Sequence, residues 1–173
     1  MMEALSRTIQ SSPPREYSWF SIPAELERLS LTLSVIETLT GGIVSQKLAT
    51  TSSPSFVGGS ILSSETSQGQ FLNLSFKELN ALKSDGKIFA DSLARKGRED
   101  FGTHLGLGTL GRIIEEQGRG EYRVETYYSL SNSTEIENQE YSLGGELWTV
   151  RERASIIALD MLRKYLLKIS PKG

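Results

Sequence analysis

A chain of 173 residues that is 38% hydrophobic carries enough apolar side chain for one ordinary core. Its net charge of −2, with Lys and Arg scattered among Asp and Glu, leaves no basic stripe for nucleic acid to follow. The lack of cysteine excludes disulfides and thiolate metal sites, and His104, the single histidine, reads as a polar residue near a strand rather than a zinc ligand or triad base. One domain is expected, with no metal and no cofactor.

The first ten residues include Glu3, Ser6, Arg7 and Thr8 and lack the apolar run of a signal peptide. Nowhere do about 18 consecutive apolar residues occur, so a cytoplasmic protein without a membrane partner is expected. Residues 1–21 read as an N-terminal arm, because Ser11-Ser12-Pro13-Pro14 breaks any helix, and Trp19 and Phe20 are expected to dock it onto a domain over 22–170. Pro23 opens a short helix through Leu29. The β-rich alternation of Leu31 to Ile36 predicts a strand, which runs into Glu37-Thr38-Leu39-Thr40-Gly41-Gly42 and then a helix from Ile43 to Leu48.

A second strand is predicted from about Phe56 to Ser63, followed by short helices near 68–72 and 76–82. Phe89, Leu93, Gly97 and Phe101 recur every four residues, which predicts a surface helix over 86–101 with Gly97 allowing a close approach. A strand over 103–108, a short helix over about 112–117 and an antiparallel hairpin of 121–130 with 134–143 follow. The last element is a long helix from Leu147 to Leu167, stopped by Pro171. Strands alternating with helices, then a hairpin and a final helix, predict an α/β fold with a mixed sheet and helices on both faces.

Gly106-Leu107-Gly108-Thr109-Leu110-Gly111 spells G-x-G-x-x-G, but a dinucleotide fingerprint needs a full crossover helix after it, and six residues are too few. The segment reads instead as a tight glycine turn beside a pocket. The 37–42 turn is the richer candidate. It joins a hydroxyl leaving a strand to backbone N–H groups at a helix start, the parts of a nucleophile plus an oxyanion or phosphate site. Equally, Thr40 could be an N-cap and the glycines could serve close packing. No base is evident: Lys47 reads as a solvated surface residue, and nothing in the spacing of Glu37 and Glu65 marks them as a carboxylate pair.

With those residues in view, the chain resembles the CinA C-terminal family, the nicotinamide mononucleotide deamidases, over about Pro23 to Leu167. The family's A-E-S-C-T-G-G is similar to Ile36-Glu37-Thr38-Leu39-Thr40-Gly41-Gly42, and its G-x-V-x-Y-S-N-x-x-K to Gly59 through Gln68. Its S-G-I-A-G-P loop falls on Leu107 to Arg112 and its F-P-G-D-R on Leu143 to Leu147. The resemblance implies a three-layer α/β/α fold, a homo-oligomer and a nucleotide ligand like nicotinamide mononucleotide.

It also implies roles for particular residues. Thr38 holds the nucleophile position, Ser63 and Gln68 stand where the family has tyrosine and lysine, and Leu147 stands where it has arginine. Glu37, Thr40, Gly41, Gly42, Gly108 and Gly111 are expected to shape the substrate pocket. Two outcomes are expected: a relative with a degraded catalytic site that binds a nucleotide without turnover, or an amidohydrolase that releases ammonia from nicotinamide mononucleotide with Thr38 as nucleophile.

Overall fold

The computed structural model describes residues 19–172, so the expected arm over 1–21 lies outside the described residues except for its last three. Of those, Trp19 is buried in the core while Phe20 is 46% exposed. Eleven elements follow: α1 (Ile22–Arg28), β1 (Leu33–Glu37), α2 (Ile43–Ala49), β2 (Phe56–Ile61), α3 (Glu65–Leu72), α4 (Phe76–Leu82), α5 (Gly86–Phe101), β3 (Leu105–Gly118), β4 (Glu121–Ser131), β5 (Ile136–Glu146) and α6 (Leu147–Ile169).

The five strands form one mixed sheet in the order β2-β1-β3-β4-β5, with β1 parallel to β2 and β3 and the last two pairings antiparallel. Every residue of β1 is buried, as expected of a central parallel strand covered on both faces. Its alternation divides the core. Leu33 and Val35 pack with α1, α2 and α6, whereas Ile36 packs with α4 and α5 and with Phe71 and Leu72 of α3. The result is the expected three-layer α/β/α arrangement with helices on both faces.

Helix α5 spans the residues its periodicity predicts. The Asp85 side chain accepts from the Ile88 N–H at its start, and Gly102, at φ 61°, closes its end. Close approach to the sheet depends on glycine. A Cβ on Gly97 would lie 2.5 Å from Ile36 Cγ1, one on Gly106 would lie 2.1 Å from the Ala94 carbonyl oxygen, and one on Gly108 would lie 2.7 Å from that of Ala90. The G-x-G part of the glycine motif is therefore a strand surface on which α5 rests, and not a turn.

The helix expected over 112–117 is absent: these residues continue β3, paired with β4 and interrupted by irregularities at Ile113/Glu115 and Glu116/Gly118. The run Arg112-Ile113-Ile114-Glu115-Glu116 has no strong local preference, and cross-strand pairing with Val124 and its neighbours decides it. Since β1 ends at Glu37 opposite Thr109, β3 past that point has β4 as its only strand neighbour among the described residues. Hairpin β4–β5 forms as predicted, with both strands running slightly longer. Among the described residues, no helix is long and apolar enough to cross a membrane.

Candidate functional site

The end of β1 turns sharply through Gly41 (φ 61°) and Gly42 (φ 99°), left-handed conformations that a residue with a Cβ rarely adopts. This turn leaves the first N–H groups of α2 without intrahelical partners. The fully buried Glu37 carboxylate fills that position. Its Oε2 accepts from Thr40 Oγ1 (2.6 Å), Gly42 N (3.1 Å) and Val44 N (3.2 Å), and its Oε1 accepts from Ser45 N (2.8 Å). The anion held by these amides is thus the chain's own side chain. Thr40 is not the N-cap: that position is Gly42, and Thr40 Oγ1 bridges Glu37 to Thr109 Oγ1 at 2.8 Å.

Thr38 faces the other way, towards β3. Its Oγ1 donates to the Thr109 carbonyl (3.1 Å) and accepts from the Gly111 N–H (3.2 Å), while its own N–H donates to the same carbonyl (3.1 Å). At 8% exposure it is nearly enclosed. Gly111 is needed here for space. A Cβ on it would lie 2.4 Å from Leu39 Cβ, so only glycine lets β3 pass this close to the turn.

Beyond Gly111 opens a pocket of about 180 Å³ lined by Ser63, Glu65, Gln68, Lys83, Gly86, Phe89, Leu110, Gly111, Arg112 and Tyr127. It brings together Ser63, Gln68 and Gly111 of the expected site. Gly108 rests under α5 instead, and neither Glu37 nor Thr40 lines the pocket. Gln68 is turned inward, its Nε2 donating to the Leu62 carbonyl at 3.2 Å. A larger hollow between α3 and α4 lies away from the turn, with Glu65 as the one residue shared between the two.

Three charged or phenolic groups were not foreseen in this pocket. Lys83, the C-cap of α4, forms an ion pair with Glu65. Arg112 donates from Nη1 to the Lys83 carbonyl (3.1 Å) and from Nη2 to Glu125 (2.5 Å) and the Tyr127 hydroxyl (3.2 Å). Tyr127 in turn donates to Glu125 at 2.9 Å. The Glu125 carboxylate raises the guanidinium pKa further, and Arg112 and then Tyr127 lower that of Glu125. Burial, aided by Glu125, raises that of the Tyr127 phenol. Strand parity would have found Arg112 and Tyr127: in a β3 that continues past Gly111, Arg112 falls on the face of Leu110, and Tyr127 is paired with Leu110. Lys83 carries no such signal.

The remaining candidates take structural places. His104 Nδ1 accepts from the Thr32 N–H at 3.0 Å, at the opposite end of β1 from the turn. Lys47 is not simply solvated: it pairs with Glu152 of α6 at 3.1 Å and lies 5.8 Å from the centre of the Trp19 ring. Leu147 begins α6, and Glu37 and Glu65 serve separate partners. Among the described residues no three His, Asp or Glu side chains converge into a group that could hold a metal ion.

Residues 21–166 match the family model described as the CinA C-terminal domain. A CinA-like protein of Syntrophotalea carbinolica is 31% identical over 139 residues, covering 79% of this chain and 34% of that protein. A putative competence-damage inducible protein of Natranaerobius thermophilus is 32% identical over 144 residues, covering 82% and 34%. The chain thus spans about a third of the length of the curated relatives it matches. In fold it is similar to a CinA superfamily protein of Klebsiella pneumoniae, with a TM-score of 0.75 at 17% identity over 89% of this chain and 99% of that one. A competence or damage-inducible protein of Enterobacter asburiae gives the same TM-score at 20% identity, over 89% of this chain and 99% of that one.

Proposed function

The chain belongs to the CinA C-terminal domain family, and from that premise we propose that it binds a small nucleotide-like molecule in the pocket beside Gly111 without hydrolysing it. The observation that carries this reading is the state of Thr38. A nucleophilic hydroxyl needs a base to take its proton and a clear path to the substrate. Thr38 Oγ1 donates a hydrogen bond to a backbone carbonyl and accepts one from a backbone N–H, and Thr38 is not among the residues that line the pocket. The amides at the start of α2, which could have held an oxyanion, are occupied by Glu37. Gln68, turned onto Leu62, has no basic nitrogen.

The pocket itself suits a ligand. Phe89, Leu110 and Tyr127 provide apolar surface, and Ser63 and Gln68 add polar groups among charged residues, the usual composition of a small-molecule site. Calorimetry with nicotinamide mononucleotide, run beside an ammonia assay, tests the proposal. Saturable binding with no ammonia above a protein-free blank is expected. Ammonia release that Thr38→Ala abolishes would overturn it in favour of an amidohydrolase. One contact favours that second reading, since the N–H that bonds Thr38 belongs to Gly111, a wall of the pocket.

A further inference from the structure

Two cations line the pocket, each with a carboxylate partner. Lys83 pairs with Glu65, which also lines it, and Arg112 pairs with Glu125, which does not, while the bond from Arg112 Nη1 to the Lys83 carbonyl fastens the two cationic residues together. Two further observations bear on anion binding. Arg112 Nε is buried and has no hydrogen-bond partner among the described residues, although the rest of the guanidinium is pinned by Lys83, Glu125 and Tyr127. A buried donor in that state calls for an acceptor from water or ligand. Lys83, for its part, has a weak hold on its partner: the Glu65 side chain is 51% exposed, and solvent-exposed ion pairs contribute little.

We infer that the Lys83–Arg112 side of the pocket is an anion-binding end that takes the phosphate monoester of the ligand. This rests on the reading that the pocket binds a small molecule. A phosphate offers several strong acceptor oxygens and close to two negative charges, so it displaces a lone exposed carboxylate from an ammonium. Glu65 then swings into solvent, Lys83 turns to the phosphate, and the rigidly held guanidinium supplies the second cation. The apolar part of the ligand lies toward Phe89, Leu110 and Gly111. Neither cation repeats a family motif residue: Lys83 lies outside the matched stretches, and Arg112 stands where the motif has proline.

Ribose 5-phosphate and ribose, titrated into the whole chain by calorimetry, test the site without requiring a nicotinamide group. The phosphorylated sugar binds, ribose does not, and inorganic phosphate competes. Lys83→Met, whose thermal unfolding shows it folded, weakens ribose 5-phosphate by roughly tenfold or more, the size of one charge-assisted hydrogen bond. Absence of ribose 5-phosphate binding, or equal affinity in the variant, overturns the inference. Nicotinamide mononucleotide bound equally by both proteins sinks the anion end and leaves the ligand reading standing. Lys83-dependent binding of ribose 5-phosphate with nicotinamide mononucleotide refused does the reverse.

Discussion

Glu37 Oε2 accepts a 2.6 Å hydrogen bond from Thr40 Oγ1 across the turn that joins β1 to α2, and with three backbone N–H groups it closes the start of that helix. A helix N-terminus favours a negative charge, so this buried carboxylate sits where the backbone dipoles stabilise it. Glu37→Ala would strip three amides of their acceptor and leave the Thr40 hydroxyl with Thr109 alone. A loss on the order of 3 kcal/mol is expected, from the removal of a charged acceptor shared by several donors. Glu37→Gln keeps one acceptor oxygen and should lose less. Urea unfolding orders the three proteins; equal stability of wild type and the alanine variant would remove the capping role.

Gly111 and Leu39 form a matched pair. Because the clash predicted for Gly111→Ala is with a Cβ fixed to the backbone, no rotamer change relieves it. Overpacking of this kind costs about 1–3 kcal/mol, and the adjoining pocket should lose ligand affinity as β3 shifts. The double variant with Leu39→Ala still meets the Leu39 Cβ but is freed from Cδ2 and Cγ, so a partial, non-additive rescue is expected. A double-mutant cycle by denaturant titration measures it; strict additivity would deny the contact.

Tyr128 is 1% exposed, and its hydroxyl has no hydrogen-bond partner among the described residues, since the Thr126 hydroxyl is turned to the Tyr141 carbonyl at 3.1 Å. Burial pushes its pKa from 10.0 up to about 12. The folded state therefore favours the neutral phenol. Its advantage is whole below pH 10 and is lost as pH rises through 12, a swing on the order of 2 kcal/mol. Tyr128→Phe should match or exceed wild-type stability at neutral pH, because an unpartnered hydroxyl leaves with no bond broken. It should also lack the alkaline decline between pH 10 and 12. Parallel declines in the two proteins would assign that step elsewhere.

At the acid end, Glu25 is held to about 2 from 4.5, first by its hydrogen bond from Arg28 and then by that from Ser170. The bonds of Ser170 with Glu25 and Arg28 tie α1 to the residue after α6. A lowered carboxylate contributes stability that is present above pH 4.5 and lost as pH falls through 2. Glu25→Gln should accordingly be less stable than wild type at neutral pH, and the two unfolding curves should converge toward pH 2. A constant gap over that range would exclude the charge as the cause.

The legible parts of this fold are those in which local pattern and tertiary packing agree. The period of Phe89, Leu93 and Gly97 and the alternation of β1 each carry their burial in the sequence, and α5 and β1 lie where that pattern puts them. Legibility failed where a long-range partner chose between near-equal local states. Arg112 to Gln117 became strand because β4 lies beside it, and with that error the faces of β3 were lost, hiding Arg112 and Tyr127 from the pocket. The turn was readable as a turn, since Gly41 and Gly42 take the positive φ that other residues rarely adopt. That Glu37 would fold back into the helix start was not, because the same glycines and amides serve an internal carboxylate and an external anion alike.

The glycines beneath α5 also govern how the pocket yields. With Gly106 and Gly108 pressed against the helix backbone, Phe89 and Leu110 form a stiff base that cannot give way without separating helix from sheet. The Lys83 and Glu65 side chains, which also line the pocket, are joined by a solvent-facing ion pair. A ligand bound there as proposed would meet an unyielding bed and a latch, so its rate of capture would follow the latch while the bed fixed the choice of shape.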